Sequence, residues 1–199
     1  MAGKKYRFAS LLLLSAALTG CAALPGGGPA PLDTYELSAA HVEKARSSRR
    51  QILIAEPSAL KAFDGQNIVI KPSVGSIQYL KGAQWADRLP LIVQARLAET
   101  FQRSGRFAGV GRPGEGLAID YQVIAEIRAF EIQVSGTERA VVELFVRLLN
   151  DRTGEVRAGQ GFIAAADVSG TGNQAYVAAL DRAFQDAVAQ IVNWTAGRI

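Results

Sequence analysis

Three long segments in the second half of the chain alternate apolar and polar side chains, and this alternation constrains the fold more than any other feature. The segments are residues 117–127, 139–150 and 156–166. Successive side chains of a strand point to opposite faces, so each segment predicts a strand with one apolar face. The short links between them predict an antiparallel meander. The alternation changes phase near Ala129 and Phe130, which predicts a β-bulge.

Two further segments carry apolar residues at helical spacing. The first predicts a helix over 87–104, with Asp87 as its N-cap and Gly105 at its end. The second predicts a helix over 174–195, capped by Asn173. Shorter strands are predicted at 34–37, 52–55, 67–71, 76–80 and 107–110. We therefore expect an α+β fold: a two-layer sandwich in which two main amphipathic helices pack on a mainly antiparallel sheet, as one domain over residues 34–199.

The first 20 residues have the pattern of a secretory signal peptide. A basic start precedes an apolar run of 11 residues, which is shorter than the roughly 20 residues that span a bilayer as a helix. Leu18, Thr19 and Gly20 then lead to Cys21, and this tetrapeptide resembles the lipobox of bacterial lipoproteins, in which the cysteine receives lipid. Cys21 is the single cysteine, so once it is acylated no thiol remains for a disulfide or a nucleophile.

Residues 21–33 are expected to form a lipidated flexible tether. They include three consecutive glycines and three prolines, which disfavour helix and strand. Such a tether spans about 20 Å as a coil and about 40 Å when fully extended. Lipoproteins of this pattern resemble triacylated proteins, with palmitate among the acyl chains. Ala22 stands where an aspartate would favour inner-membrane retention, so the resemblance implies the outer membrane, on its periplasmic face.

The basic character of the full chain comes largely from the predicted signal. Its three basic residues are Lys4, Lys5 and Arg7, and without them the formal net charge falls from +4 to +1. A surface that binds phosphates needs clustered lysine and arginine side chains. We therefore expect no nucleic-acid partner.

Few residues suit ordinary catalysis. His41 is the single histidine, so a Ser-His-Asp triad would have to use it, and nothing near it resembles a nucleophile elbow. One histidine without a free thiol cannot supply the usual zinc ligands. Asp120 and Glu126 share one face of a predicted strand but lie about 20 Å apart, too far for a glycosidase pair. We expect no catalytic residue, no metal site and no cofactor.

Two aromatic residues, Tyr79 and Trp85, are predicted to bracket the loop before the first helix. Two roles are open for them. Together they would form an apolar surface for a partner or a lipid, since aromatic residues are enriched at the centre of interfaces. Alternatively, Trp85 packs the helix onto the sheet as an ordinary core residue.

Several short motifs follow one another in an order that identifies a family. They are YELS at 35–38, NIVIKP at 67–72, IQY at 77–79, QWADRL at 84–89 and FAGV at 107–110. Together with the three long strands, this order resembles the ABC-type transport auxiliary lipoprotein family, whose members accompany lipid transporters with a mammalian-cell-entry (MCE) domain. Residues 39–50 contribute nothing to the resemblance.

The resemblance implies a non-enzymatic accessory subunit of an MCE-type ABC lipid transport system. Its partners would be an MCE-domain substrate-binding protein, a permease and an ATPase. Docking to the MCE component and handling of a phospholipid or sterol-like ligand both stay open, as does assembly into a homo-oligomer. The alternative is another envelope lipoprotein, either an assembly factor or a cell-wall-binding protein. A docking subunit should expose a strand edge or an apolar patch, whereas a cell-wall binder should have a cleft where Asp, Arg and Asn side chains converge.

Overall fold

The computed structural model describes residues 31–45 and 47–199, and the chain from Leu32 to Ile199 forms one compact unit. The predicted signal peptide and most of the predicted tether lie outside the described residues. In chain order the elements are β1 (Asp33–Tyr35), β2 (Gln51–Ile54), β3 (Ser58–Ala59), β4 (Asn67–Ser73), β5 (Ser76–Trp85), α1 (Leu89–Ser104), β6 (Gly109–Gly111), β7 (Tyr121–Gln133), β8 (Arg139–Asn150), β9 (Val156–Asp167) and α2 (Asn173–Ala196).

The three longest strands form the antiparallel meander that their alternation predicts. Strand β7 pairs with β8, and β8 pairs with β9. The register of β7 shifts between Ile127 and Ala129, which confirms the predicted bulge. Strand β7 begins at Tyr121 instead of residue 117, and Leu117 is exposed. Apart from that start, the meander follows from the sequence.

The other side of β7 carries short strands that run parallel to it. Strands β2, β3 and β4 pair with the start, the middle and the end of β7 in turn. Beyond them, β6 pairs with β2, and β5 joins β4 as an antiparallel hairpin. Strand β1 lies parallel to β5. The sheet is therefore mixed, with its longest pairings antiparallel, and the α+β class is confirmed.

Strand β5 is twice as long as the predicted segment 76–80 because it continues through an irregular stretch to Trp85. Against β4, its register shifts between the pairs Asn67–Gln84 and Val69–Tyr79. Gly82 lies in this irregular stretch at φ +73°, in the left-handed region that favours glycine. We call this stretch, residues 80–83, the β5 bulge.

Helix α1 begins differently from the prediction. Asp87 is not its N-cap: that position is held by Arg88, which makes no capping side-chain bond. The carboxylate of Asp87 instead accepts a hydrogen bond from the backbone N–H of Arg88 at 2.6 Å. Gly105 ends the helix in the left-handed conformation, as predicted.

Helix α2 also lacks the predicted cap. Asn173 is its first residue, and Gly172 holds the N-cap position. The side-chain amide of Asn173 donates to the carbonyl oxygen of Lys81 at 3.0 Å. Asn173 therefore fastens the β5 bulge to the start of α2.

One core joins both helices to the sheet. Its largest fully buried side chains include Leu97 and Phe101 from α1 and Phe184 from α2. Phe130, placed on the inner face of β7 by the bulge, contacts Phe184 at a ring-centroid distance of 6.0 Å. Leu97 and Phe184 lie on the two predicted apolar stripes, so the predicted helix faces are confirmed.

Candidate functional site

The predicted lipid attachment at Cys21 lies outside the described residues, as does its cleavage motif of Leu18, Thr19 and Gly20. It therefore stays a prediction. Among the helices that the structure describes, none is long and apolar enough to cross a membrane.

Trp85 is part of the core. Only 1 % of its surface is exposed, and its ring meets Phe130 edge to face at 5.8 Å. Its backbone N–H donates to the carbonyl of Gln66 at 2.7 Å. The prediction that Trp85 contacts a partner or lipid is therefore wrong, and the packing alternative describes it. Nor do Tyr79 and Trp85 bracket a loop, since both lie on β5.

Tyr79 has the opposite environment, with 48 % of its surface exposed. It lies near the turn of the β4–β5 hairpin, where Val74 is fully exposed and Ile77 is 48 % exposed. We call Val74, Ile77 and Tyr79 the apolar tip. Residues 72–80 contain no charged side chain, and Lys71 and Lys81 flank them. Val74 and Ile77 were not identified from the sequence, although an uncharged run across a Pro-Ser-Val-Gly-Ser turn is a signal for them.

The hairpin extends past the end of strand β7. Strand β7 ends at Gln133, directly opposite Lys71, and a hydrogen bond from Val134 to the Lys71 carbonyl closes the pairing at 3.2 Å. The Lys71 ammonium also contacts the buried carboxylate of Glu131 at 3.2 Å. The base of the hairpin is therefore held firmly, while the apolar tip stands beyond β7.

A second apolar surface lies at the other side of the sheet. Within the described residues, β9 pairs only with β8, so its outer edge is free. Residues 158–166 of β9 carry no charge, and Ile163 is 63 % exposed on the face away from α2. Its direct neighbour on β8 is Glu143, and Phe145, which is opposite Gly161, lies under the guanidinium of Arg128 at 4.1 Å. In the part of the chain that the structure describes, this strand edge has no partner strand.

A small polar cleft lies where β7 begins and β8 ends. It encloses about 260 Å³ and is lined by Arg50, Asp120, Tyr121, Asn150 and Arg152. Asp120 contacts Arg50 at 3.5 Å and accepts a hydrogen bond from the backbone of Gln51 at 3.0 Å. The side-chain oxygen of Asn150 accepts from the backbone N–H groups of the following turn. Most acceptors of this cleft are therefore already engaged by the protein.

His41 lines an open groove of about 650 Å³ beside the end of α1. Among the described residues that line it there is one carboxylate, from Glu43, and no serine, threonine or cysteine. Among the described residues, no three His, Cys, Asp or Glu side chains are grouped to hold a metal ion. Glu126 lies on β7 and Asp120 directly precedes that strand, so the two carboxylates are about 20 Å apart, too far to act together.

The start of α1 carries a surface ion-pair cluster. The Arg88 guanidinium donates to Asp64 at 3.0 Å and contacts Glu56 at 3.2 Å. The hydrogen bond from Arg88 has the largest effect on the Asp64 carboxyl and holds its pKa below the ordinary value, against a smaller opposing effect of burial. Asp64 and Glu56 belong to the connections before β4. Arg88 of the QWADRL motif thus fixes those connections to α1.

The chain is similar to proteins of known sequence and structure. It is 30 % identical over 185 residues to an uncharacterized protein of Bradyrhizobium diazoefficiens, an alignment that covers 92 % of this chain and 50 % of that protein. The chain thus spans about half the length of the curated relative it matches.

Two solved structures share the fold. A protein of Xanthomonas campestris has 28 % identity and a TM-score of 0.77, over 83 % of this chain and 95 % of that one. The hypothetical protein CT253 of Chlamydia trachomatis has 11 % identity and a TM-score of 0.52, over 75 % of this chain and 97 % of that one, and shows the fold alone.

Residues 35–192 match the family described as the ABC-type transport auxiliary lipoprotein component. The match spans both helices up to Val192 and every strand after β1. The family description is that of a transport component and indicates no enzymatic activity. The chain therefore belongs to the family of ABC-type transport auxiliary lipoprotein components.

Proposed function

We propose that this chain is an outer-membrane-anchored periplasmic subunit of an MCE-type ABC lipid transport system, and that it docks to the MCE-domain component. Family membership supports a role beside an ABC transporter. The Leu-Thr-Gly-Cys motif supports the lipid anchor, and Ala22 supports the outer membrane. The observation that carries the docking role is the free edge of β9.

Natural proteins protect free strand edges with lysine, proline, bulges or a covering loop, because unpaired backbone groups attract other strands. The middle of β9 lacks lysine and proline over residues 158–166, which extend for about 30 Å. An extended partner segment that added to this edge would gain main-chain hydrogen bonds. Ile163, with Gly161 two residues earlier on the same face, offers an apolar side chain beside an open space. This edge therefore suits a partner strand.

Docking has more support than storage of a lipid inside the domain. A lipid site is typically a concave and mostly apolar pocket. The groove beside α1 is instead open and includes Glu43, Lys44 and Arg103 in its lining. A long acyl chain would meet charged side chains there.

The test is capture of the periplasmic region of the MCE protein by the full-length lipidated protein. The wild type should retain it. Ile163→Lys should weaken capture by about tenfold, which corresponds to about 1.4 kcal/mol, because it places a charge at the middle of the edge. The matched control is Val156→Lys, an equally exposed change at the end of β9. Failure of the wild type to capture the MCE protein would overturn the docking role.

The polar cleft of Arg50, Asp120, Asn150 and Arg152 favours a second candidate, binding to the cell wall. Here acid, base and amide side chains converge, as a site for muropeptides requires. If purified peptidoglycan retains the wild-type protein, and Arg152→Ala abolishes retention while capture of the MCE protein fails, cell-wall binding replaces the transporter role.

A further inference from the structure

We propose that the apolar tip of the β4–β5 hairpin is a second membrane contact, through which Val74, Ile77 and Tyr79 enter the interfacial region of a phospholipid surface. This inference rests on the proposed lipid anchor at Cys21, because it concerns the membrane to which that anchor attaches the chain. It adds a defined orientation to a domain that a flexible tether alone would leave free to rotate.

The chemistry of the tip suits a lipid interface. Val74 and Ile77 present aliphatic surface to solvent, and burying such surface is favourable by roughly 25 cal/mol per Å². Tyr79 combines an apolar ring with a hydroxyl, which places tyrosine at the level of lipid headgroups. Lys81, which is exposed, follows the uncharged run, and a lysine side chain at such a position reaches phosphates while its methylene groups cover apolar surface. Lys71, at the other end of the run, is paired with Glu131.

The backbone holds the tip outside the sheet. Past the pair of Lys71 and Gln133, β4 has no partner on the β7 side, and Ser73 pairs with Ser76 across the turn. The side chain of Asn173 fastens the β5 bulge to α2, so the hairpin is secured at its base. The tip therefore lies beyond the end of β7, at the same end of the sheet as the exposed β7–β8 turn, and can meet a flat surface there.

The chain enters the sheet on the side of the tip. Strand β5 runs away from the hairpin turn, and β1 is parallel to it, with Asp33 opposite Ala83 and Tyr35 opposite Trp85. Leu32, directly before β1, therefore lies on the tip side of that strand. Thr34 pairs with Gln84, which pairs with Asn67. The six residue steps from Asn67 to Ser73 cover about 20 Å along β4.

The tether has the length that this arrangement requires. Residues 21–32 span about 20 Å as a flexible coil, which equals the rise along β4 from the level of Thr34 to the turn. A lipid on Cys21 can therefore lie in the same surface that the tip touches. Two observations favour a lipid surface over a protein partner at the tip. The chain enters the sheet from the same end as the tip. The free edge of β9 lies across the sheet from β5 and stays open for a docking partner.

The test measures which end of the domain meets lipid. Because Cys21 is the single cysteine, Val74→Cys gives the anchored protein one reactive thiol for an environment-sensitive fluorophore. The matched control is Thr153→Cys in the β8–β9 turn, an exposed position at the opposite end of the sheet. The full-length lipidated protein is placed on vesicles of phosphatidylethanolamine and phosphatidylglycerol, with and without brominated lipids.

We expect brominated lipids to quench the fluorophore strongly at position 74 and weakly at position 153. Ile77→Asp should reduce the quenching at position 74, and Ile77→Leu should preserve it. Equal quenching at the two positions, in protein that floats with the vesicles, overturns the tip contact and leaves the anchor intact.

If the protein does not float, the anchor fails, and the tip contact, which rests on that anchor, fails with it. Shielding of position 74 that occurs only after the MCE protein is added assigns the tip to a protein partner and overturns the lipid contact.

Discussion

Tyr79 and Trp85 show what residue type alone does and does not determine. Both are aromatic, and both stand on β5, yet one is half exposed and the other is buried. Trp85 follows the β5 bulge and faces the core, whereas Tyr79 precedes the bulge. Their difference comes from strand register, which is set by pairing with β4. The predicted strand segment, residues 76–80, ends before pairing resumes at Gln84, so the sequence pattern does not show on which face of β5 Trp85 lies.

Truncating these two aromatic side chains should have unequal effects. Trp85→Ala should lower the free energy of unfolding by about 3–5 kcal/mol, because it leaves a cavity beside Phe130. Tyr79→Ala should change it by less than about 0.5 kcal/mol, as surface substitutions do. Chemical denaturation of both variants measures the contrast. Equal losses would mean that Tyr79 also belongs to the core.

Acid should weaken the bond between Asp64 and Arg88. The pKa of Asp64 is lower in the folded state than in the unfolded state, so its carboxylate stabilises the folded state at pH values above the unfolded-state pKa. That contribution is lost as the pH falls through the folded-state pKa. The stability difference between wild type and Asp64→Asn should therefore be present at pH 6 and shrink as the pH is lowered below about 4. Thermal unfolding across this range measures it. A difference that stays constant to about pH 2 would exclude the ion pair as its source.

The sequence shows that Asp87 and Asn173 are of a residue type that caps helices, but it does not show which groups their side chains bond. Asp87 and Asn173 are good N-cap residues, yet the Asn173 amide reaches Lys81, 92 positions away in sequence. The Asn173 side chain bonds a carbonyl in the β5 bulge and does not cap helix α2. Nothing near Asn173 in sequence indicates this, because the bulge forms only when β5 has paired with β4 and β1.

At the scale of elements, the long strands, the helices and most short strands were predictable, whereas β3 and the parallel pairing of the short strands with β7 were not. Strands β7, β8 and β9 each have 12 or 13 residues, enough for alternation to show the face and even the bulge. Strands β2, β3 and β4 have 4, 2 and 7 residues. Their parallel pairing depends on where the intervening chain leads, which is a tertiary property. The free edge of β9 likewise depends on topology.

The β5 bulge provides a prediction at this scale. Gly82→Ala should destabilise the domain by about 1–2 kcal/mol, because a residue with a β-carbon is disfavoured at φ +73°. The nearest atom to the added carbon is 3.7 Å away, so the cost is one of backbone conformation instead of collision. Gly161→Ala on β9, where the new carbon meets nothing within 4 Å, is the control and should be neutral or slightly stabilising. Equal effects would show that the bulge relaxes.

In the folded domain, the topology places the apolar tip and the edge of β9 on different sides. Strands β5 and β9 lie on opposite sides of β7, and the apolar tip lies at the end of β7, away from the β8–β9 turn. A domain resting on its tip would thus hold its long strands upright and present the β9 edge sideways. In this arrangement the tip would limit rotation of the domain about the tether. The anchor and the tip together would then determine the direction in which the edge of β9 faces.

The two membrane contacts should contribute very unequally to attachment. Three exposed side chains bury little apolar area, while even one acyl chain gives only marginal, reversible binding and stable anchoring needs two or more signals. Cys21→Ser should therefore abolish incorporation of labelled fatty acid and leave unprocessed precursor in the inner membrane. The same variant behind a cleavable non-lipoprotein signal should be released as soluble protein, despite its intact tip. Incorporation of fatty acid into Cys21→Ser would disprove the anchor. Firm vesicle binding by the released form, lost again with Ile77→Asp, would make the tip the dominant attachment.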